Sequence, residues 1–137
     1  MKDSLSVIIV DQQLDNKGVL VNLGFVLGLT SGRHMPDNTF GPDVIDGDGK
    51  NHKYLTNIGH YVRKAGQSKI RSIRQSLADN PDVLIVDYTE DAAPADYSSY
   101  EKSLGAHKEE EIVYRAIHVC GPSTIIEPLT KNLSRLS

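Results

Sequence analysis

The sequence predicts an α/β protein built from buried strands that alternate with helices. Residues 7–10 read Val-Ile-Ile-Val, an unbroken, β-branched apolar run that is typical of a central strand covered on both faces. A short polar turn then leads into an apolar stretch of helical length. A similar run at residues 83–86 ends at Asp87, as the first ends at Asp11. Such alternation indicates a layered α/β domain.

Length and composition favour a single soluble domain that covers residues 1–137. Hydrophobic residues make up 39% of the chain and charged residues 24%, which is typical of a globular protein. No apolar run approaches the roughly 20 residues that span a bilayer, and the first residues lack a signal-peptide pattern. The one cysteine, Cys120, excludes an internal disulfide and a multi-cysteine zinc site. We therefore expect a cytoplasmic protein that does not contact membranes.

The net charge argues against nucleic-acid binding as the main task. The formal charge is −3, whereas nucleic-acid-binding domains are usually basic or carry a dense basic stripe. Binding of tRNA is therefore disfavoured, although a local phosphate-contacting patch stays open. Its basic residues would be Arg63, Lys64, Lys69, Arg71 and Arg74.

The first helix is predicted over residues 17–29, with almost no polar side, so that it should be buried nearly all round. Asn22 is the exception. A buried amide needs hydrogen-bond partners, which the preceding turn or a ligand could supply. Gly28 and Gly32 are expected to weaken and end this helix.

The Asp-Gly pairs at residues 46–49 favour a tight hairpin, because both residue types tolerate positive φ. A calcium-binding EF-hand loop is disfavoured, since Lys50 and Asn51 stand where an acid or amide and a glycine are needed. In the last helix, Thr124 is predicted as the N-cap, which places Pro128 at the fourth helical position. The other predicted elements are a strand over 60–65, a helix over 69–79, a strand over 82–89, a short helix within 94–106 and a strand over 112–120.

The candidate site lies beyond the carboxyl ends of the strands, in the region of residues 11–18. If the strands at residues 7–10 and 83–86 run parallel, Asp11 and Asp87 lie at the same sheet edge. They could form an acid/base or ligand-binding pair, or they could simply end strands and cap turns. The second interpretation is favoured for Asp11.

Other chemistries have weaker signals. The sequence contains no phosphate-binding GxxxxGK[ST] loop and no nucleophile elbow, and we expect no cofactor. The five histidines show no metal-ligand spacing, so no metal is expected, although His34 with His52 would be the first pair to check. The thiol of Cys120 could have a lowered pKa before a helix start, but a buried, inert thiol is favoured.

Four stretches, which span nearly the whole chain, resemble domain-of-unknown-function family two thousand, a family of small bacterial proteins. That family is similar in fold to the type 2 peptidyl-tRNA hydrolases. The resemblance implies a three-layer α/β/α sandwich around a mixed sheet of about four main strands, often assembled as a homodimer. The stretches are VIIVDQQLDNKGVLVNLGFVLGL, GPDVIDGDGKNH, VLIVDYTEDA with the following DYSSYEKSLG, and HVCGPSTIIEPLTKNLSRL.

The resemblance to the hydrolases is incomplete at the site. Asp87 matches the aspartate that ends a strand in their pattern. Their lysine directly follows the glycine that opens the first helix, and here Val19 follows Gly18, with Lys17 beside it. Tyr88 and the residues after it also replace their Ala-Gly and Thr-Gln pairs. A site for an anionic RNA would thus have lost a cation and gained carboxylates.

Three functions remain open. The first is binding of an unknown small ligand or protein partner at the sheet edge, by Asp11, Gly18, Asn22 and Thr89. The second is a hydrolase, such as a peptidyl-tRNA hydrolase, with Asp87 and Lys17 or a histidine as catalytic residues. The third is a structural or interaction protein whose pocket is vestigial.

Overall fold

A computed structural model describes residues 3–92 and 96–137 of the chain. The main sheet contains five strands in the order β5-β6-β1-β4-β7, and β2 and β3 form a separate hairpin. The strands are β1 Ser4–Asp11, β2 Val44–Ile45, β3 Asn51–His52, β4 Gly59–Ala65, β5 Leu84–Thr89, β6 Tyr114–Pro122 and β7 Ser134–Arg135. The helices are α1 Lys17–His34, α2 Gln67–Leu77, α3 Tyr97–Gly105 and α4 Ser123–Thr130.

The sheet is mixed, as predicted, and consists of four long strands plus the two-residue β7. β1 runs parallel to β4 and antiparallel to β6, which in turn runs antiparallel to β5. β1 and β5 therefore point in the same direction, with β6 between them. Asp11 and Asp87 lie near the same edge of the sheet, but on strands that are not neighbours.

Helices cover both faces of the sheet and enclose two hydrophobic cores. One core contains Ile9 and Ile117 from the sheet, with α2 and α4 packed over them. On the other face, Val10 and Ala116 pack against the buried side of α1. The result is a three-layer arrangement, with two helices on one face and one on the other.

Helix α1 differs from its prediction in both length and burial. It continues through Gly28 and Gly32 to His34, and only Leu23, Leu27 and Ser31 are buried. The expectation of a helix buried nearly all round is wrong, because only one side of α1 meets the sheet. Asn22 is accordingly exposed rather than buried.

The last strand and helix also begin and end at different residues from those predicted. β6 does not stop before Gly121 but continues to Pro122, which pairs with Ser4 of β1. Pro122, rather than Thr124, is the N-cap of α4, so Pro128 lies two positions deeper in the helix. The N–H of Ser123 donates to the Asp3 carbonyl at 2.6 Å, which anchors the helix start outside the helix.

The predicted hairpin is confirmed. β2 and β3 pair antiparallel around a turn in which Gly49 has φ +81°, a conformation that favours glycine. The Asp46 carboxylate accepts backbone N–H bonds from Asp48 and Lys50 and a side-chain bond from His52. Asp46, the residue at which a calcium-binding loop would start, therefore stabilises the hairpin turn. In the described ranges no helix is long and apolar enough to cross a membrane.

We expect Gly121→Ala to destabilise the protein by about 1–3 kcal/mol, in the range of overpacked sites. A Cβ at Gly121 would lie 2.8 Å from the Asp82 carbonyl oxygen and 3.3 Å from Val83 Cα, both backbone atoms that cannot rotate away. Urea unfolding of both proteins measures the loss. Gly47→Ala, where a Cβ would meet nothing, is the matched control; equal losses in the two variants would contradict the packing explanation.

Candidate functional site

The edge of the sheet where β1 ends is organised by a buried ion pair between Asp11 and Arg115. Asp11 is the last residue of β1, and Arg115 lies near the start of the antiparallel neighbour β6. This register brings Arg115 Nη1 to 2.8 Å from Asp11 Oδ2. The Asp11 side chain is 1% exposed and that of Arg115 is 25% exposed, so the guanidinium links the interior to the surface.

Two further donors complete the shell around Asp11. The Gln13 N–H donates to Oδ1 at 3.0 Å, and Gln67 Nε2 donates to Oδ2 at 2.8 Å. Burial alone would raise the pKa of Asp11, but these bonds, together with the Arg115 guanidinium, lower it below the ordinary value. Asp11 is therefore a fixed anion that orients Arg115, and it also caps the turn as the sequence favoured.

The exposed side of Arg115 faces a cleft of about 780 Å³ between the start of α1 and the end of β5. Arg115 Nη2 lies 3.0 Å from Oε1 of Glu90, whose side chain is 57% exposed. The cleft therefore contains one guanidinium whose second partner is a surface carboxylate. Its lining residues are Gln13, Leu14, Asn16, Gly18, Val19, Asn22, Tyr88, Thr89, Glu90 and Arg115.

The first turn of α1 forms one wall of this cleft. Asn16 is the N-cap, and its side-chain oxygen accepts the Val19 N–H at 3.1 Å. The first turn contains no acidic residue, so no side chain within that turn neutralises the partial positive charge of the helix N-terminus. This wall and Arg115 both favour an anionic group in the cleft.

A second cleft, of about 640 Å³, adjoins the first and shares Asn22 and Tyr88 with it. It lies between α1 and α3 beside the edge strand β5. Tyr97 and Tyr100 of α3 pack edge to face there, with ring centroids 5.5 Å apart. Val26 contributes an apolar wall. The second cleft therefore provides aromatic and apolar surface, and we call it the aromatic cleft. The first provides polar groups, and we call it the polar cleft.

The structure brings together three of the four residues proposed for ligand binding. Gly18, Asn22 and Thr89 line the polar cleft, while Asp11 lies buried behind Arg115 and does not reach it. Thr89 is itself buried, and its hydroxyl makes no hydrogen bond of good geometry within residues 3–92 and 96–137.

The two residues proposed for catalysis lie apart. Asp87 borders the aromatic cleft, but its carboxylate lies 3.1 Å from Nε of Arg74, on the α2 side of the sheet. Lys17 is exposed at the start of α1 and is not among the lining residues of either cleft. An Asp87–Lys17 pair is therefore not assembled in this structure.

Sequence reasoning missed Arg115, the residue that connects the buried charge to the cleft. The sequence predicts only that Arg115 lies within a strand, over residues 112–120. Its pairing with Asp11 depends on β6 lying beside β1, and these residues are far apart in the chain. The two residues lie at the start of one strand and at the end of another. This placement predicts an ion pair only once the order of the strands in the sheet is known.

Cys120, His34 and His52 lie outside both clefts. Cys120 is 8% exposed, and burial raises the pKa of its thiol, in agreement with the inert interpretation. His52 binds Asp46 in the hairpin, and His34 lines a cleft at the opposite end of β1. The described residues contain no group of three or more His, Cys, Asp or Glu side chains that could hold a metal ion.

Comparisons with known proteins identify a family but no activity. Residues 5–136 match the family described as Protein of unknown function (DUF2000). The solved structure of Atu0240, a protein of unknown function from Agrobacterium tumefaciens str. C58, is similar over 100% of both chains, with a TM-score of 0.81 and 16% identity. At that identity the likeness concerns the fold alone. The search of curated proteins found no match. The chain belongs to the DUF2000 family of proteins of unknown function.

Proposed function

We propose that the protein binds a small ligand in the two adjoining clefts at the carboxyl edge of the sheet. The ligand would carry a carboxylate or phosphate group for the polar cleft and a planar or apolar group for the aromatic cleft. The observation that carries the proposal is Arg115, which a fully buried aspartate holds at the floor of an open cleft.

Arg115 can accept an anionic ligand without rearrangement of the interior. Nη1 is committed to Asp11, and Nη2 is in contact with Glu90, a carboxylate on the surface. Exposed ion pairs contribute only about 0–1 kcal/mol, so a ligand oxygen could replace Glu90 at little cost. The position of Glu90 also marks where a carboxylate oxygen fits against the guanidinium.

The tyrosines of the aromatic cleft provide a surface for the planar or apolar group of the ligand. Tyr88 and Asn22 border both clefts, so one molecule could extend from Arg115 to the Tyr97–Tyr100 pair. Aromatic side chains bind planar groups by stacking and edge contacts. The exposed amide of Asn22 can donate and accept hydrogen bonds at the junction between the two clefts.

We expect aromatic carboxylates or nucleoside monophosphates to bind and raise the melting temperature, as any ligand that binds only the folded state does. Glu90→Gln should strengthen binding by about 2–5-fold, because it removes the competing carboxylate. Asn22→Leu should weaken binding without disturbing the fold, since Asn22 is exposed. Thermal-shift screening identifies the ligands that bind the wild type. Titration monitored by NMR then measures the affinity of the wild type and of the two variants.

Arg135→Gln is the matched control, because Arg135 is exposed on β7, outside both clefts. Its affinity should equal that of the wild type. The proposal fails if no member of the two ligand classes binds, or if binding is unchanged in both Glu90→Gln and Asn22→Leu.

The hydrolase alternative has weaker support. Asp87 is ion-paired with Arg74, and Val19 lines the cleft where the hydrolase pattern has its lysine. Turnover of a peptidyl-tRNA that disappears in Asp87→Asn would favour the hydrolase over simple ligand binding.

A further inference from the structure

Strand β5 forms one edge of the main sheet, and within residues 3–92 and 96–137 no strand lies beyond it. An edge strand leaves the N–H and C=O groups of alternate residues without a partner in the sheet. In the described part of the chain, no backbone group outside the sheet bonds to the β5 backbone. The opposite edge strand, β7, has only two residues, whereas β5 has six. β5 is therefore the long open edge of the sheet.

The sequence of β5 lacks the features that usually protect an edge strand. Protected edges are very short, or they carry lysine, proline or a bulge. β5 reads Leu-Ile-Val-Asp-Tyr-Thr, without lysine or proline, and its register with β6 shifts only at the end, between Tyr88 and Thr89. Residues 84–88 are only partly buried. A long apolar edge of this kind indicates a place where a further strand can pair.

The aromatic cleft opens onto this edge. Its lining includes three consecutive residues of β5, Val86, Asp87 and Tyr88. Val86 and Tyr88 pack against the core beneath α1, whereas Asp87 bonds to Arg74 on the α2 side. Because side chains alternate between the two faces of a sheet, a cleft that borders all three residues meets the strand at its backbone edge. Helix α3 forms the opposite wall, so the aromatic cleft lies between an edge strand and a helix.

The aromatic cleft is also acidic. The described residues that line it include two aspartates, Asp87 and Asp96, and no lysine or arginine. Asp87 is paired with Arg74, but Asp96 is exposed at the start of α3. Burial, followed by the negative charge of Asp87, raises the pKa of Tyr100, in agreement with a negative potential there. The cleft therefore favours a basic partner, and the Tyr97–Tyr100 pair provides a surface for an apolar or aromatic side chain.

We propose that an extended peptide segment of a partner protein adds to β5 as a sixth strand of the main sheet. Backbone hydrogen bonds to the β5 edge provide affinity, and alternate side chains of the segment enter the aromatic cleft. Those side chains are apolar or aromatic, and basic residues beside them are attracted by Asp96. The six residues of β5 span about 20 Å, which accommodates about five or six residues of peptide. This partner uses the aromatic cleft but does not need Arg115.

Titration of the full chain with a capped probe peptide, Ac-Lys-Val-Lys-Phe-Lys-Val-Lys-NH₂, tests the added strand. Two matched versions of the peptide are methylated at backbone nitrogens, one at its lysines and the other at its apolar residues. Alternate residues of a strand direct their N–H groups to the same neighbour, so one set donates to β5 and the other faces solvent. One methylated version should therefore bind at least about 10-fold more weakly than the unmodified peptide, and the other should bind equally well.

Variants of the protein test the aromatic cleft. Tyr97→Ala removes an exposed ring and should weaken binding of the peptide about 10-fold. Asp96→Asn keeps an N-cap residue for α3 but removes the charge, and should weaken binding about 2–5-fold. Asp48→Asn, at an exposed site in the hairpin, is the matched control and should bind as the wild type does. Glu90→Gln should also leave the peptide affinity unchanged, which separates this proposal from that of a small ligand at Arg115.

Amide hydrogen exchange should slow in β5 when the peptide binds. No binding of the unmodified peptide at millimolar concentration would overturn the proposal. So would equal affinity of the two methylated versions, unchanged affinity in Tyr97→Ala, or tighter binding of a peptide with glutamate in place of lysine. If the peptide binds and small anionic ligands do not, this proposal stands and the proposed function fails; the reverse result overturns this proposal alone.

Discussion

Replacing Asp11 with asparagine is expected to destabilise the protein by about 3 kcal/mol, the loss typical of a buried ion pair from which one partner is removed. The neutral amide keeps the size of the side chain but removes the charge that Arg115 binds. The amide also presents an N–H₂ group to the donors of Gln13 or Gln67, so at least one hydrogen bond is lost. Guanidinium unfolding of both proteins, followed by circular dichroism, measures the difference.

Asp48→Asn is the matched control, because Asp48 is exposed in the hairpin turn and should change stability by no more than about 0.5 kcal/mol. In a double-mutant cycle, Asp11→Asn combined with Arg115→Gln should cost less than the sum of the two single changes. A loss below about 1 kcal/mol for Asp11→Asn, or simple additivity, would show that the pair does not organise this edge.

Local patterns predicted the elements whose burial is set by their own strand or turn. β1 is buried on both faces, and the edge strand β5 places partly buried apolar side chains in both cores, so an unbroken apolar run identified each of them. The turn at Gly49 needs a positive φ, which the Asp-Gly pairs signalled. In these cases the physical cause and the sequence signal lie within the same few residues.

The incorrect or missing predictions concern features whose physical cause lies in a distant part of the chain or in another molecule. An apolar helix such as α1 has the same sequence whether its own chain or another molecule covers it, so burial all round was the wrong conclusion. The Asp11–Arg115 pair depends on the order of β1 and β6 in the sheet. The sequence therefore places Arg115 in a strand but does not connect it with Asp11, and the cleft around it cannot be assembled from the sequence.

Beneath α1, His118 links the helix to the sheet through two serines. Ser6 Oγ of β1 lies 2.5 Å from His118 Nε2, and Ser31 Oγ of α1 lies 2.5 Å from Nδ1. The imidazole is 5% exposed, so both ring nitrogens find their partners inside the protein. A neutral ring satisfies this arrangement by donating to one hydroxyl and accepting from the other.

Burial, reinforced by repulsion from the nearby His60, lowers the pKa of His118 to about 4. In the unfolded chain the same ring titrates near its ordinary value, about 6.5. Between these values the unfolded state binds more protons than the folded state, so acidification favours unfolding. His60, whose pKa burial also lowers, contributes in the same direction. The carboxylates with lowered pKa act only at lower pH.

We therefore expect His118 to account for a loss of about 2 kcal/mol in unfolding free energy between pH 7.5 and pH 5. His118→Gln keeps hydrogen-bonding atoms near both serines but cannot titrate in this range. The difference in unfolding free energy between wild type and His118→Gln should therefore shrink by about 2 kcal/mol between pH 7.5 and pH 5. The control His34→Gln, at an exposed site, should show the same pH dependence of stability as the wild type. Urea unfolding at several pH values measures the gap, and NMR of the imidazole should show no titration of folded His118 above pH 5. Parallel stability curves for wild type and His118→Gln, or a folded-state titration near the ordinary value, would mean that the ring is not held neutral. In that case an imidazolium that donates to both serine hydroxyls, rather than a neutral ring, would link α1 to the sheet.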